Sequence, residues 1–277
     1  MAIETIDGLV KALATNSSRI VIDKASIANM LAGTYASLWR STGQPAQAAI
    51  PTTAAIPTSA TTGAMGFANQ TAPISSYLSW LNVNSANAGT NIEIHDRIAH
   101  LGGLVLNVTT SQTVTGLDLS TLGVVAARLG DANYSDVQWW LEVYTDGGAT
   151  ASNATINVTY NDATTGNLNV VAVGGTLRAG RLIPLTPLIP TAQQGKFIRG
   201  INSVILSAST TVAGNFGFTA TRPRTLVSLD VANKGMAFDW AALGMPEIAN
   251  DSCLQMLMCC ITTSTGILRG GGKIAHG

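Results

Sequence analysis

The clearest periodicity in the chain runs from residue 137 to residue 160. Residues 137–144 hold two tryptophans, a tyrosine and β-branched side chains, which fit a pleated, half-buried surface. Residues 155–160 alternate apolar and polar with period two, the pattern of a strand with one face in a core and one in water. Asp146-Gly147-Gly148 lies between them, and its glycines can take the positive φ of a tight connection. The spacing predicts a β-hairpin over 137–160.

Similar runs recur downstream of Tyr77. Residues 77–83, 92–98, 104–108, 168–173, 197–207, 215–221 and 226–231 read as strands, with Gly102-Gly103 and Gly174-Gly175 as breaks. Residues 114–119 extend towards an edge, and 121–127 fit helix or strand equally. Pro184 and Pro187 confine 181–188 to an edge strand or a covering segment, because proline has no N–H to donate to a ladder. Residues 233–250 read as a loop with room for a short helix at 238–243. The apolar run 253–261 fits either strand or helix, and Gly270-Gly271-Gly272 reads as a loose tail. Short strands at fairly regular spacing predict a mainly β protein, an antiparallel β-sandwich of jelly-roll type, with a Greek-key barrel as the alternative.

The first 76 residues differ. Ile3, Ile6, Leu9, Val10 and Leu13 recur at helical spacing until Thr15-Asn16-Ser17-Ser18 breaks the pattern. Residues 19–22 form a short apolar run, a lone extended segment. Ile27, Met30, Leu31, Tyr35 and Leu38 then predict a second helix, capped by Asp23 or Ser26. Residues 43–76 are rich in Pro, Ala, Thr and Gly, with AIPT occurring at 49–52 and again at 55–58. Proline pushes the residue before it into extended geometry, so the stretch is an arm, read either as a linker or as a segment lying over a neighbour. The expected organisation is a helical and extended arm (1–76), a β-sandwich domain (77–232) and a C-terminal extension (233–277) packing on that domain or on a neighbour.

Charge changes the picture most. Charged residues make up 11% of the chain and the formal net charge is zero, against a typical ~25% charged. Solvent-facing positions are therefore filled by Thr, Ser, Asn and Ala, which suits a chain lying against other protein and equally a neutral antiparallel sheet. No dense Lys/Arg run exists, which argues against nucleic acid as a partner, since phosphate binding requires neutralising cations. Cys253, Cys259 and Cys260 are odd in number and set among apolar residues, so buried free thiols are expected rather than disulfides. The start lacks a basic stretch followed by an apolar one, so no secretory signal is expected. No run of about 18 apolar residues exists to span a membrane.

Candidate chemistry is sparse. His95, Asp96 and His100 in IHDRIAH form a possible metal or acid–base set. On a regular strand, however, positions 95 and 100 face opposite ways, and an ion pair of Asp96 or Arg97 is the simpler reading. Glu93 and Glu142 suggest a glycosidase pair or, more simply, two exposed carboxylates. Trp139 and Trp140 are adjacent, so one faces the core and the other is either exposed, where it could stack on a sugar, or covered by a second layer. Arg222, Arg224, Arg178 and Arg181 supply the main positive density, facing a partner's acidic groups or solvent. His276 offers nothing. No G-x-S-x-G elbow or phosphate-cradling glycine motif occurs. No catalytic, cofactor-binding or metal residue is assigned, and no cofactor is expected.

At residues 94–114 (IHDRIAHLGGLVLNVTTSQTV), 180–185 (GRLIPL) and 201–223 (INSVILSASTTVAGNFGFTATRP) the chain resembles a family of tailed-bacteriophage virion proteins. The shared pattern covers roughly residues 75–225 and carries over no catalytic residue. The resemblance implies a non-enzymatic virion part, made in the host bacterial cytoplasm and placed on the capsid. The reading that ranks first is a cement or decoration protein, self-associating as a trimer and bridging major capsid proteins, with no nucleic acid or membrane partner. A tail, neck or fibre component, with or without glycan binding, ranks second. A polysaccharide or cell-wall hydrolase is a distant third.

Overall fold

The computed structural model describes residues 3–175 and 177–277. Met1 and Ala2, within the expected arm, and Thr176 lie outside the described residues. Strand accounts for 42% of the chain and helix of all kinds for 8%, and the sheets are antiparallel, so the mainly β, sandwich- or barrel-like fold class holds. The chain divides into two compact units. One comprises Met1–Ala48, Pro57–Asp96 and Arg224–Gly277, and the other Ala49–Ile56 and Arg97–Pro223.

The first unit is built around the chain's last strand. Leu268–His276 pairs with Ser17–Lys24 on one side and Ser76–Ser85 on the other. Met236–Phe238 and Glu247–Ile248 extend the sheet beyond Ser76–Ser85, and Gly43–Gln44 pairs with Asp23 and Lys24. The glycines expected to form a loose tail are thus the middle of a sheet. A Cβ on Gly270 would lie 2.0 Å from the Asn82 carbonyl oxygen. Only a residue without a side chain lets the neighbouring strand come so close. The core of this unit gathers Ile20, Ile22, Leu78, Leu81, Ile94 and Met256, among others.

The expected N-terminal helix forms over Ile6–Thr15. The Thr5 side chain accepts from the Gly8 N–H at 3.0 Å, and Asp7 sits in the first turn, where a carboxylate suits the helix dipole. Leu9 and Ala12 are buried while Ile6 and Val10 stay exposed. The expected second helix does not form. Thr34–Ser37 is instead a strand, paired residue for residue with the Leu254–Cys260 strand from Thr34↔Cys260 to Ser37↔Leu257, and Leu38–Arg40 is a single 3-10 turn. Helical spacing of apolar residues is a weak prior, and the ladder offered by the C-terminal run outweighs it. That run, 253–261 in the sequence, resolves as strand, and it also pairs with Thr90–Leu104 from Leu254↔Asp96 to Cys259↔Asn91. Residues 19–22 are extended as expected but are not alone, being part of the eight-residue Ser17–Lys24 ladder.

In the second unit the predicted strands of the central hairpin exist, as Gln138–Thr145 and Asn153–Tyr160, but they do not pair with each other. Gln138–Thr145 lies between Arg181–Pro184 and Asn215–Leu229. Asn153–Tyr160 lies in another sheet, against Ile198–Leu206 on one side and Thr165–Asn167 and Val171–Ala172 on the other. Residues 146–152 are therefore a crossing between sheets and not a hairpin turn. Gly148 is pressed against that crossing's neighbour: a Cβ there would meet the Thr210 carbonyl oxygen at 1.7 Å. Trp139, Leu141 and Val143 from one sheet and Ile156, Val158 and Tyr160 from the other share one apolar core with Phe216 and Phe218. Those two phenylalanine rings meet edge to face with centroids 6.3 Å apart.

Several boundaries move. Thr90–Leu104 is one strand of 15 residues and runs through Gly102-Gly103. Asn215–Leu229 is another of 15 and carries Arg222-Pro223-Arg224 within it, so that tripeptide is strand and not a solvated loop. Residues 114–119 hold no strand; the edge strand is Gln112–Thr113, and 121–127 leads into a short helix, Ala126–Leu129. Residues 43–76 hold little regular structure but bond to their own chain: Ala48 N–H to the Trp39 carbonyl at 3.1 Å, Met65 N–H to the Leu254 carbonyl at 2.8 Å, and Ala55 with His100 in both directions.

A chain beginning at Tyr77 lacks Ser17–Lys24 and Thr34–Ser37, which strips one neighbour from each of the two C-terminal strands. It is expected to be insoluble or to melt without a cooperative transition by circular dichroism. A sharp transition within a few degrees of the full chain's would contradict the central position of Leu268–His276.

Candidate functional site

The strand Gln138–Thr145 is buried on both faces. Trp139, Leu141 and Val143 enter the apolar core, and Trp140, Glu142 and Tyr144 on the other face are equally enclosed. Water does not fill that second face; polar side chains from other strands do. Arg97, fully buried, places Nη2 2.6 Å from Glu142 Oε2, 2.9 Å from Tyr144 Oη and 3.0 Å from Thr219 Oγ1. Its Nε donates to His100 Nδ1 at 2.8 Å. Thr219 donates to Glu142 Oε2 at 2.5 Å. Arg128, on the Ala126–Leu129 helix, donates to the Arg97 carbonyl at 2.9 Å, and Trp140 Nε1 donates to Thr221 Oγ1 at 2.8 Å.

The electrostatics follow from this enclosure. Burial, with the Arg97 guanidinium alongside, holds the His100 imidazole down to about 2, so it stays neutral and accepts through Nδ1. Burial, then the Glu142 carboxylate, pushes the Tyr144 phenol well above its ordinary value, so it keeps its proton. The result is a fixed cation, a fixed anion and neutral hydrogen-bonding groups around them. Arg97, His100, Glu142 and Tyr144 are all buried. This is a buried bracing cluster.

The other candidates are engaged elsewhere. His95 Nε2 lies 2.7 Å from Glu93 Oε2, and that hydrogen bond, more than any other influence, holds the Glu93 carboxyl below its usual range. Asp96 Oδ1 accepts from the Cys253 N–H at 2.8 Å. His95, Asp96 and His100 therefore serve three different partners, and among the described residues no group of three or more His, Cys, Asp or Glu side chains could hold a metal ion. Glu93 and Glu142, read as exposed carboxylates, are instead engaged: Glu93 is hydrogen-bonded to His95, and Glu142, with no exposure at all, is ion-paired with Arg97. Neither tryptophan is exposed: Trp139 Nε1 donates to the Ile198 carbonyl at 2.8 Å, and Trp139 and Trp140 are 1% and 3% accessible.

The expected positive patch is spent internally. Arg178 pairs with Asp146 at 2.8 Å and Arg222 with Asp136 at 3.3 Å, while Arg224 donates to the Glu247 carbonyl. Arg181 is half-buried, which lowers its pKa. Cys253 and Cys260 are buried free thiols, and Cys259 is partly buried.

His276 was missed. It is buried between Ser18, 2.8 Å from Nε2, and Ser76, 2.9 Å from Nδ1. A serine–histidine contact is half of a nucleophile–base pair, but a serine stands where a triad has its carboxylate, and burial lowers the imidazole's pKa. The ring ties the ends of three neighbouring strands together. Lys24 was also unforeseen. It is buried, donates to the Ser41 and Pro45 carbonyls at 3.0 and 2.6 Å, and is lowered to about 8 by burial.

No family model matches the chain, and no curated protein does. Among solved structures the chain is similar to the protein of infectious bursal virus-derived T=1 particles, at 12% identity over 94% of this chain and 77% of that one, with a TM-score of 0.19. It is similar to infectious bursal disease virus VP2 in a subviral particle at 11% identity, over 94% and 80%, with a TM-score of 0.18.

Replacing Arg97 by Met leaves Glu142 charged and buried without its cation. It is expected to destabilise the protein by about 3–5 kcal/mol, whereas Arg97→Met with Glu142→Leu loses far less, because removing both charges also removes their desolvation. Urea unfolding of the three proteins measures this; equal losses in the single and double variants would contradict the ion-pair reading. His100 gives a pH dependence. Below pH 6.5 the unfolded chain binds a proton at this histidine that the folded chain refuses. Stability therefore falls as pH drops from 6.5 towards 2, by up to about 1.4 kcal/mol per unit. His276 contributes in the same direction. His100→Asn, which keeps an acceptor for Arg97, is expected to flatten the slope between pH 6.5 and 5; an unchanged slope would contradict the buried neutral histidine.

Proposed function

We propose that the protein is a non-enzymatic structural component of a bacteriophage virion, a cement or decoration protein that self-associates and bridges major capsid subunits. The observation that carries this reading is where the ionisable groups go. The candidate catalytic side chains are bonded within their own chain, while the outside is poor in charge and carries aliphatic side chains. Ile6 and Val10 on the helix, Val21, Ile205 and Leu226 on strands, and Trp240 are exposed. A surface of that kind suits protein–protein contact better than catalysis in water. The resemblance at 94–114, 180–185 and 201–223 supplies the phage assignment. No helix among the described residues is long and apolar enough to cross a membrane.

Burial of both Trp139 and Trp140 removes the pair that could have stacked on a sugar; a tail, neck or fibre component is the alternative that the test separates from the cement reading. The test mixes the purified full chain with empty shells of the phage that encodes it, followed by sedimentation and thermal disassembly of the shells. Co-sedimentation at a fixed ratio and a raised disassembly temperature are expected, with light scattering giving a trimer for the free protein. Binding to purified tails and not to shells, or to neither, would overturn the cement assignment.

A further inference from the structure

Strand Ser17–Lys24 has one closed side and one open side. Its closed side is the eight-residue ladder with Leu268–His276. On the other side, Gly43–Gln44 covers only Asp23 and Lys24. Among the described residues no strand pairs with residues 17–22 there.

The backbone directions can be read from two close approaches. The Ile20 carbonyl oxygen lies against Gly271, 2.7 Å from where its Cβ would be, and the Asp23 carbonyl lies against Gly43 at 1.8 Å on the same measure. Successive residues of an antiparallel strand turn their N–H and C=O to alternate sides. Ile20 faces the closed ladder, so Arg19 and Val21 face the same way as Asp23, towards the open side. Two donors and two acceptors therefore line that edge.

The edge does not open onto a flat surface. It borders a trough of about 380 Å³ whose other wall is made by Gln44, Pro45 and Ala46 and by the turn from Ser59 to Gly66. The segment 43–76 thus gives a bare edge an opposite bank. With that bank opposite it, the edge lines a trough and not an open sheet margin, which suits a single extended segment better than the edge of a second sheet. Arg19 is the only ionisable residue lining the trough. It is exposed, and no ion pair to it is found among the described residues, whereas its neighbour Asp23 pairs with Arg269 at 3.2 Å.

The geometry points to the trough as a strand-addition site for an extended segment of a partner protein, with an acidic side chain opposite Arg19. Main-chain hydrogen bonds from Arg19 and Val21 supply the affinity, as in other strand-addition complexes. The uncompensated guanidinium supplies the preference for acid through a cross-strand charge pair. The inference concerns this edge alone and is independent of the virion reading.

The probe is the peptide Ac-Thr-Val-Glu-Val-Thr-NH2, compared with a version carrying Lys for Glu and one carrying Pro for both Val. Amide hydrogen exchange of the full chain is followed residue by residue by NMR. In the free protein the Arg19 and Val21 amides are expected to exchange fast. The Glu peptide at millimolar concentration slows these two and leaves the Leu268–His276 amides unchanged, and the Pro peptide slows neither. The Glu peptide binds about two- to fivefold more tightly than the Lys peptide, and Arg19→Glu reverses that order. Val21→Pro removes a donor only from the open side, so it abolishes binding with little change in melting temperature. Exchange at Arg19 and Val21 that no peptide alters, or that is already slow in the free protein, overturns the proposal. So does an unchanged Glu-to-Lys preference in Arg19→Glu, the variant that leaves the backbone untouched should Val21→Pro fail to fold.

Discussion

A charged guanidinium with no access to water is the constraint around which the second unit is arranged. Arg97 needs an anion and several acceptors, and the protein supplies them from separate strands: Glu142 and Tyr144 from one, Thr219 from another, His100 from its own. Each of these strands must then keep its register, because a one-residue slip would turn the polar partner away and bury an apolar side chain against the charge. An apolar core tolerates small displacements, but a charge enclosed at this depth does not. The apolar face of Gln138–Thr145 supplies hydrophobic burial, and the polar face decides which strand alignment is acceptable.

The same arrangement explains what could and could not be read from the sequence. Period-two alternation made the strands legible, since it reflects a local property of the pleat. Which strands meet is not local, and so the 137–160 hairpin was read as a pair although its halves belong to different sheets. Glu142 was taken as exposed because alternation puts it opposite Trp139, Leu141 and Val143, and the opposite face of a strand is usually wet. The signal against that reading was present. Trp140 and Tyr144 share the face of Glu142, and two aromatic rings rarely border an open carboxylate. The second helix failed for a related reason, as its apolar spacing fits either element and the distant partner strand Leu254–Cys260 decides between them.

Candidate chemistry was legible chiefly by exclusion. The rarity of charge and the absence of a nucleophile motif pointed away from catalysis, and the odd cysteines pointed away from disulfides; the three cysteines are unpaired by disulfides in the fold. The groups that were missed are those whose meaning depends on enclosure. His276 and Lys24 look unremarkable in sequence and become informative only when the strands around them remove water. Residues 43–76 read either as a linker or as an arm over a neighbour; their bonds to Trp39, His100 and Leu254 lie within the chain, and one stretch of them forms a wall facing a bare strand edge.

The pairing of Ser17–Lys24 with Leu268–His276 bears on how the chain is made. Ser18 meets its contact at His276 across 258 positions of sequence. At ribosomal rates this separation is roughly 13–50 s of synthesis. The early strand waits through that interval without its ladder, while residues 97–223, which carry Arg97, Glu142 and Thr219, emerge first. Translation thus completes the residues of the inserted unit before the last strand of the unit that encloses it in sequence exists to pair with Ser17–Lys24.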